Sequence, residues 1–294
     1  MRSTTAKGYI YAILSAVIYG CMPLIAKYVY ADGVNPISLV FLRNSFSLLP
    51  LAILAYRENK TLKVPLKLLP SISVIAIMGC CVTPILLFSS YQLISTGTAT
   101  VLHFIYPAVV LIAEILLLRN KIHSGNIISV LICVVGISLF YSPDPSFNLS
   151  GAALALSSGV TFATYVVLLA HFKDKGVSGF LLCFYVAAIS SIATLAVCLA
   201  TNSLALPSTL AGWGICVLFS LMVTTCAVAL FQRSAFLIGS ERTSILSTLE
   251  PITSVIIGVI VFGEPLGLKV LIGSILVVAA SILIAVIDLK KNKV

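Results

Sequence analysis

Apolar residues in this chain come in long unbroken runs, without the polar face of an amphipathic soluble helix. Charges, prolines and glycines divide the runs into segments 8–31, 36–56, 69–92, 97–118 and 124–141, then 150–172, 177–201, 209–232, 241–262 and 267–287. A helix rises 1.5 Å per residue, so about 20 residues cross the ~30 Å hydrocarbon core of a bilayer. The pattern predicts an all-α polytopic membrane protein with ten transmembrane helices. Its loops are short. Even the longest, near Arg57–Lys67, leaves no room for a soluble catalytic domain.

The polar and small positions inside those runs repeat. A shift of 143 pairs Gly8 with Gly151, Ala12 with Ala155, Ser15 with Ser158, Gly33 with Gly176 and Phe41 with Phe184. A shift of 144 pairs Ser90 with Ser234, Leu102 with Leu246 and Pro107 with Pro251. Residues 8–141 and 150–287 therefore read as two five-helix repeats. An odd number of spans turns the second copy over in the membrane. Inverted repeats place a binding site at their interface near the midplane.

Charge agrees with that topology. With both termini cytoplasmic, all of the 18 basic residues except Lys27, Lys269 and Arg43 fall on the inner side. This is the positive-inside pattern. It accounts for the net charge of +9 without nucleic acid, since no basic stripe with interleaved aromatics exists. Hydrophobic residues are 60% and charged residues 9% of the chain, and its mean hydropathy is +1.16. Only a bilayer can serve as its solvent. Arg2 and Lys7 before an apolar run imitate a secretory signal, but the run exceeds a signal's 7–15 apolar residues, and its copy at 151–171 lies deep in the chain. It is expected to remain as a helix.

Few residues in the spans carry chemistry. The eight cysteines lie in apolar runs without CxxC spacing, which predicts packing and not metal binding or disulfides. No Gly-rich phosphate loop and no Ser-His-Asp spacing is present. Hence no catalytic residue, metal or cofactor is expected, and the protein is not expected to be an enzyme. An ionisable group at membrane depth costs several kcal/mol and faces a bundle interior or a wet cavity. Glu250 lies mid-span immediately before Pro251, and Tyr106 precedes Pro107 at the equivalent position, with His103 one turn earlier. Each proline removes a backbone donor and frees a carbonyl about four residues before it. Paired proline-interrupted spans are the best sequence pointer to a transporter site. Pro107 and Pro251 are therefore the expected hinges.

His103, Tyr106 and Glu250 are the expected substrate and ion pathway, with Glu250 or His103 carrying any coupling proton. Arg43, in the second span, offers an anion site or a packing contact. Tyr19, Gln92, Tyr165, Gln232 and Ser247 fill out the cavity. Thr161 is a further polar neighbour, Glu114 is expected to snorkel toward Arg119 or Lys121, and Lys27 toward the outer interface.

Ala-Ile-Leu-Ser-Ala-Val-Ile-Tyr-Gly at 12–20 and Phe-Leu-Arg-Asn at 41–44 resemble the drug/metabolite transporter superfamily. Glu250-Pro251, then Phe262-Gly263-Glu264-Pro265-Leu266, then Ile272-Gly273-Ser274 resemble its EamA-type repeat. The first half departs from that pattern, with Asn120 and Lys121 where Glu264 and Pro265 stand in the second. The resemblance implies a basket-shaped bundle around a central cavity lined by helices 1, 3, 4, 6, 8 and 9. It also implies export of amino acids or related metabolites by alternating access across a bacterial inner membrane. The expected partners are a small-molecule substrate and the lipid bilayer, with no nucleic acid, and the protein is a monomer or homodimer. The competing readings are a passive uniporter or channel, and an integral membrane enzyme acting on lipid.

Overall fold

A computed structural model describes residues 2–118, 124–139, 148–172, 175–238, 243, 246–264 and 267–291. Among these every regular element is helical. Helices α1 (Arg2–Ala31) and α2 (Pro36–Asn59) are followed by a third stretch. This comprises a 3-10 turn at Leu66–Leu68, α3 (Leu69–Ala76), a π-helical turn at Ile77–Val82 and α4 (Thr83–Ser90). Then come α5 (Thr96–His103), α6 (Tyr106–Leu118) and α7 (Ser124–Ser138). After them lie α8 (Leu149–Phe172), α9 (Gly179–Ala200), and α10 (Leu210–Phe219), which runs through a π-helical turn at Ser220–Ala227 into α11 (Val228–Ile238). Last are α12 (Leu249–Phe262) and α13 (Leu268–Lys291).

Among the described residues six continuous stretches are long and apolar enough to cross a bilayer: Ala6–Ala31, Pro36–Asn59, Leu66–Ser90, Leu149–Ala170, Gly179–Ala200 and Leu210–Ile238. The remaining apolar helices are shorter. Their outward faces are lipid-like: Leu49, Ile192 and Ile260 are 72, 70 and 76% exposed. In water such surface costs roughly 25 cal/mol per Å². In hydrocarbon it costs nothing.

Local chemistry explains the boundaries. Gly33 and Gly176 both take positive φ, +93° and +73°, a conformation open to glycine. Asn35 then caps α2 through Ser38 N–H, and Ser178 caps α9 through Leu181 N–H. The two π-helical turns also occupy equivalent places, some 143 residues apart. Two spans expected as single helices, 69–92 and 209–232, thus contain a widened turn that no hydrophobic pattern signals. The segment expected at 97–118 breaks at Phe104–Ile105, just before Tyr106-Pro107, and Thr248 forms the corresponding turn before α12.

The halves interlock by reciprocal packing. Helix α2 lies on α9, α7 on α13, α1 on α11 and α12, and α8 on α4, α5 and α6. Asn35 donates to Ser203 O, and Asn59, one repeat shift from Ser203, donates to the hydroxyl of Ser178, one shift from Asn35. Small residues let the broken helices approach. A Cβ on Gly159 of α8 would stand 2.5 Å from His103 O and 2.6 Å from Ile105 Cγ2. Pro107 has no N–H to offer that carbonyl, so Gly159 packs against the site of the break. Gly159→Ala is expected to destabilise the protein by about 1–3 kcal/mol. Gly214→Ala, where nothing lies within 4 Å, is expected to be neutral or slightly stabilising. Thermal unfolding of the purified variants checks both, and equal midpoints would contradict this packing.

Candidate functional site

Residues from α1, α2, α8, α5, α11, α12 and the α3–α4 stretch line a half-open, mostly apolar cavity of about 60 Å³ into which several polar side chains are gathered. Its walls include Tyr19, Arg43, His103, Tyr165 and Glu250, all expected from sequence. One water needs ~10–15 Å³ measured this way, so the space holds a few waters. Small-molecule pockets run to ~300–1,000 Å³. In this conformation the space is too narrow to hold a metabolite.

His103 is held in a definite way. Its Nδ1 lies 2.8 Å from Ser158 Oγ, while Ser158 gives its hydroxyl hydrogen to Ala155 O at 2.6 Å. A serine hydroxyl has one hydrogen, so Nδ1 must donate. Neutral His103 then keeps Nε2 as an acceptor. Glu250 makes no hydrogen bond or ion pair among the described residues. Tyr165 is positioned by Gln232, whose Nε2 donates to the phenol oxygen at 3.3 Å while its Oε1 accepts from Cys183 at 3.0 Å. Gln232 itself is buried and supports the wall from behind.

Other expected residues take different places. Tyr106 is buried beside the cavity, its ring 4.9 Å from Phe104 and Phe162 and 6.0 Å from His103. Ser247 is buried and donates to Thr243 O one turn back, so its hydroxyl is spent within its own helix. Gln92 is exposed and stands apart from the cavity, because α4 ends at Ser90 and residue 92 lies in the following turn. Pro251 lines a different space, and Pro107 sits at the α5–α6 break. The Glu114 side chain, Arg119, Asn120, Lys121 and Pro265 lie outside the described residues. Pattern reading missed Met22, Gly79, Cys80, Thr83, Pro84, Leu87, Phe162 and Val228 as lining residues. Phe162 alone had a signal, being the repeat equivalent of Tyr19. The π-helical turn that presents Gly79 and Cys80 has none in the pattern.

Lys27 does not simply reach for the interface. Its Nζ lies 2.9 Å from Glu264 Oε1 and 3.9 Å from the centre of the Phe262 ring. Glu264 also accepts from Thr96 N–H at 3.1 Å, Thr96 Oγ1 at 2.9 Å and Gly97 N–H at 3.4 Å. Its carboxylate thus caps the N-terminus of α5, where the helix dipole favours negative charge. Partial burial pushes the Glu264 carboxyl up. The Lys27 and Thr96 contacts outweigh this and hold it below the ordinary 4.5. The clasp ties the ends of α1, α5 and α12 together. Its repeat counterparts in sequence, Ala170, Asn120 and Ser240, are uncharged.

A second space of about 420 Å³ lies between α5, α12 and α13, lined by apolar side chains and Ser274. Ser274 gives its hydroxyl hydrogen to Val270 O. Nothing there orients a polar ligand.

Helices with lipid-like faces around a cavity that gathers Arg43, His103 and Glu250 define a polytopic membrane protein built around an internal site. The chain belongs to the EamA-like transporter family, whose model matches residues 6–142 and again 149–286. It is 23% identical over 304 residues to the "uncharacterized inner membrane transporter YicL" of Salmonella typhimurium, covering 96% of each chain. A second relative, an uncharacterized transporter of Clostridium kluyveri, is 24% identical over 173 residues, covering 55% of each. A solved crystal structure superposes with a TM-score of 0.68 at 14% identity, over 97% of this chain and 98% of that one. It shares the fold.

Proposed function

We propose that the protein is a secondary transporter of the bacterial inner membrane that exports a small amphipathic metabolite, such as an amino acid, by alternating access. Ten spans form two inverted five-helix repeats, 8–141 and 150–287, with both termini cytoplasmic. The reciprocal contacts Asn35–Ser203 and Ser178–Asn59 and the matched π-helical turns support that symmetry.

One observation carries the reading. Arg43, His103 and Glu250 come from three helices of both halves, yet they line a single cavity. It adjoins the two proline-interrupted helices. Charged groups at that depth are costly, and no packing need collects them there. Rocking of the halves about the α5–α6 and α12 breaks exposes the cavity to each side in turn. One chain supplies the whole cavity, so a monomer suffices.

Two roles follow from the contacts. Among the described residues Glu250 has neither cation nor donor to satisfy it, which makes it the group that exchanges a coupling proton. His103 presents Nε2 as an acceptor to a substrate ammonium or hydroxyl. The test is flux of labelled amino acids, singly, in proteoliposomes with and without an imposed pH gradient. Uphill movement driven by the gradient supports a coupled carrier. Flux that only follows the substrate gradient identifies a passive uniporter. No flux of any amino acid removes this substrate class.

A further inference from the structure

Arg43 is buried, 4% exposed, about two turns from the N-terminal end of α2 on its cavity-facing side. Its guanidinium carries five donors, yet Nε has no hydrogen-bond partner. No carboxylate pairs with it among the described residues. Ser220 bonds the Arg43 backbone carbonyl and leaves the side chain untouched. The nearest aromatic face, Phe88, lies 5.6 Å away. Arginines that only brace a membrane bundle spend their donors on carbonyls or a carboxylate, since an unpaired buried charge costs several kcal/mol. Among the described residues Arg43 spends none, and it opens on a space shared with Glu250, whose carboxyl likewise has no partner among them.

We propose that substrates are held through an anionic group, a carboxylate, seated on the Arg43 guanidinium, with their cationic or donor end toward Glu250 and His103 Nε2. This deepens the carrier reading and rests on it. The planar fork of an arginine matches a carboxylate through two parallel hydrogen bonds. A doubly charged phosphate fits less well, because one cation is its only counterion and Glu250 shares the same small space. A carboxylate balances the one guanidinium, and a positive or donor group balances the other wall. The class is therefore a monocarboxylate with a donor at its far end, of which a zwitterion is the simplest member.

Cys80 makes the charge of this cavity measurable without a known substrate, because its side chain lines the same walls. The full chain, with Cys80 as its sole cysteine, is reconstituted and reacted with two impermeant thiosulfonates of similar size. One is anionic (sulfonatoethyl) and the other cationic (trimethylammonioethyl), each rate being normalised to a free thiol. The anionic reagent is expected to react about tenfold faster, a ratio that collapses in Arg43→Gln and persists in Arg43→Lys. Glu250→Gln raises it further.

A mixture of the common amino acids is expected to slow Cys80 labelling, whereas the mixture of their amides does not. Equal protection by amides overturns the carboxylate assignment, as does a charge preference indifferent to Arg43→Gln in protein that elutes as a single folded species. Both leave the carrier reading standing. Failure of either reagent to reach Cys80 from either face contradicts the carrier reading itself.

Discussion

Glu250→Gln is expected to retain exchange of substrate across the membrane while losing uphill transport driven by a pH gradient. The reasoning is differential. Exchange needs only a cavity that opens to both sides loaded, and glutamine keeps the size and hydrogen-bonding shape of the acid. Coupling needs a group that binds a proton on one side and releases it on the other, and among the cavity-lining residues only Glu250 and His103 can. His103 is committed through Nδ1 to Ser158, whereas the Glu250 carboxyl has no partner among the described residues to hold it in one state. Gradient-driven accumulation is expected to fall at least about tenfold, a 1.4 kcal/mol loss of driving force, with exchange changed by less than about threefold. Full retention of gradient-driven uptake in proteoliposomes would remove Glu250 from coupling. His103→Gln is then the next variant to measure.

Glu264→Gln is expected to have the second large effect, on the conformational equilibrium and not on the chemistry of the cavity. The carboxylate receives Lys27, Thr96 and Gly97 together, and charge-assisted hydrogen bonds contribute about 1.5–3 kcal/mol each when well formed. Lys27 is partly exposed, so about 2 kcal/mol for the whole clasp is a restrained figure. If the clasp forms only when the outer end is closed, its loss shifts the population toward the outward-open state by roughly 30-fold. The pH sign follows from the lowered pKa of the Glu264 carboxyl. The clasp is fully formed above about 4.5 and is lost as pH falls through the lower, folded-state value. Clasp strength is thus constant through the neutral range. Any pH dependence of transport near neutrality must arise in the cavity, and only the acid limb should differ between Glu264→Gln and wild type.

How much of this was legible in the chain depends on the kind of signal. Helix positions follow from apolar runs broken by polar residues, and these appear directly in sequence. The cap pairs Asn35 and Ser178, and the positive-φ pair Gly33 and Gly176, follow from the repeat. The cavity residues Tyr19, Arg43, His103, Tyr165 and Glu250 were legible because polar groups within apolar spans stand out. The π-helical turns were not, since they change backbone spacing without changing hydropathy, and with them went Gly79 and Cys80. Gln92 was misplaced for a related reason. Polarity marks a residue as unusual in a span, but not whether the helix ends two residues before it. The Lys27–Glu264 clasp joins residues 237 apart in sequence, and two charges near span ends look alike whether they pair or reach for headgroups.

The Lys27–Glu264 clasp has no charged counterpart at the repeat-equivalent sequence positions Ala170, Asn120 and Ser240. The central claim is that one cavity serves both faces in turn, and Cys80 reports on it. In reconstituted protein with Cys80 as the sole thiol, an impermeant thiosulfonate is applied to one face at a time. The account predicts labelling from both faces, with Glu264→Gln raising the outer rate and lowering the inner one. Labelling from a single face in every variant, or rates that rise together on both faces, would contradict alternating access.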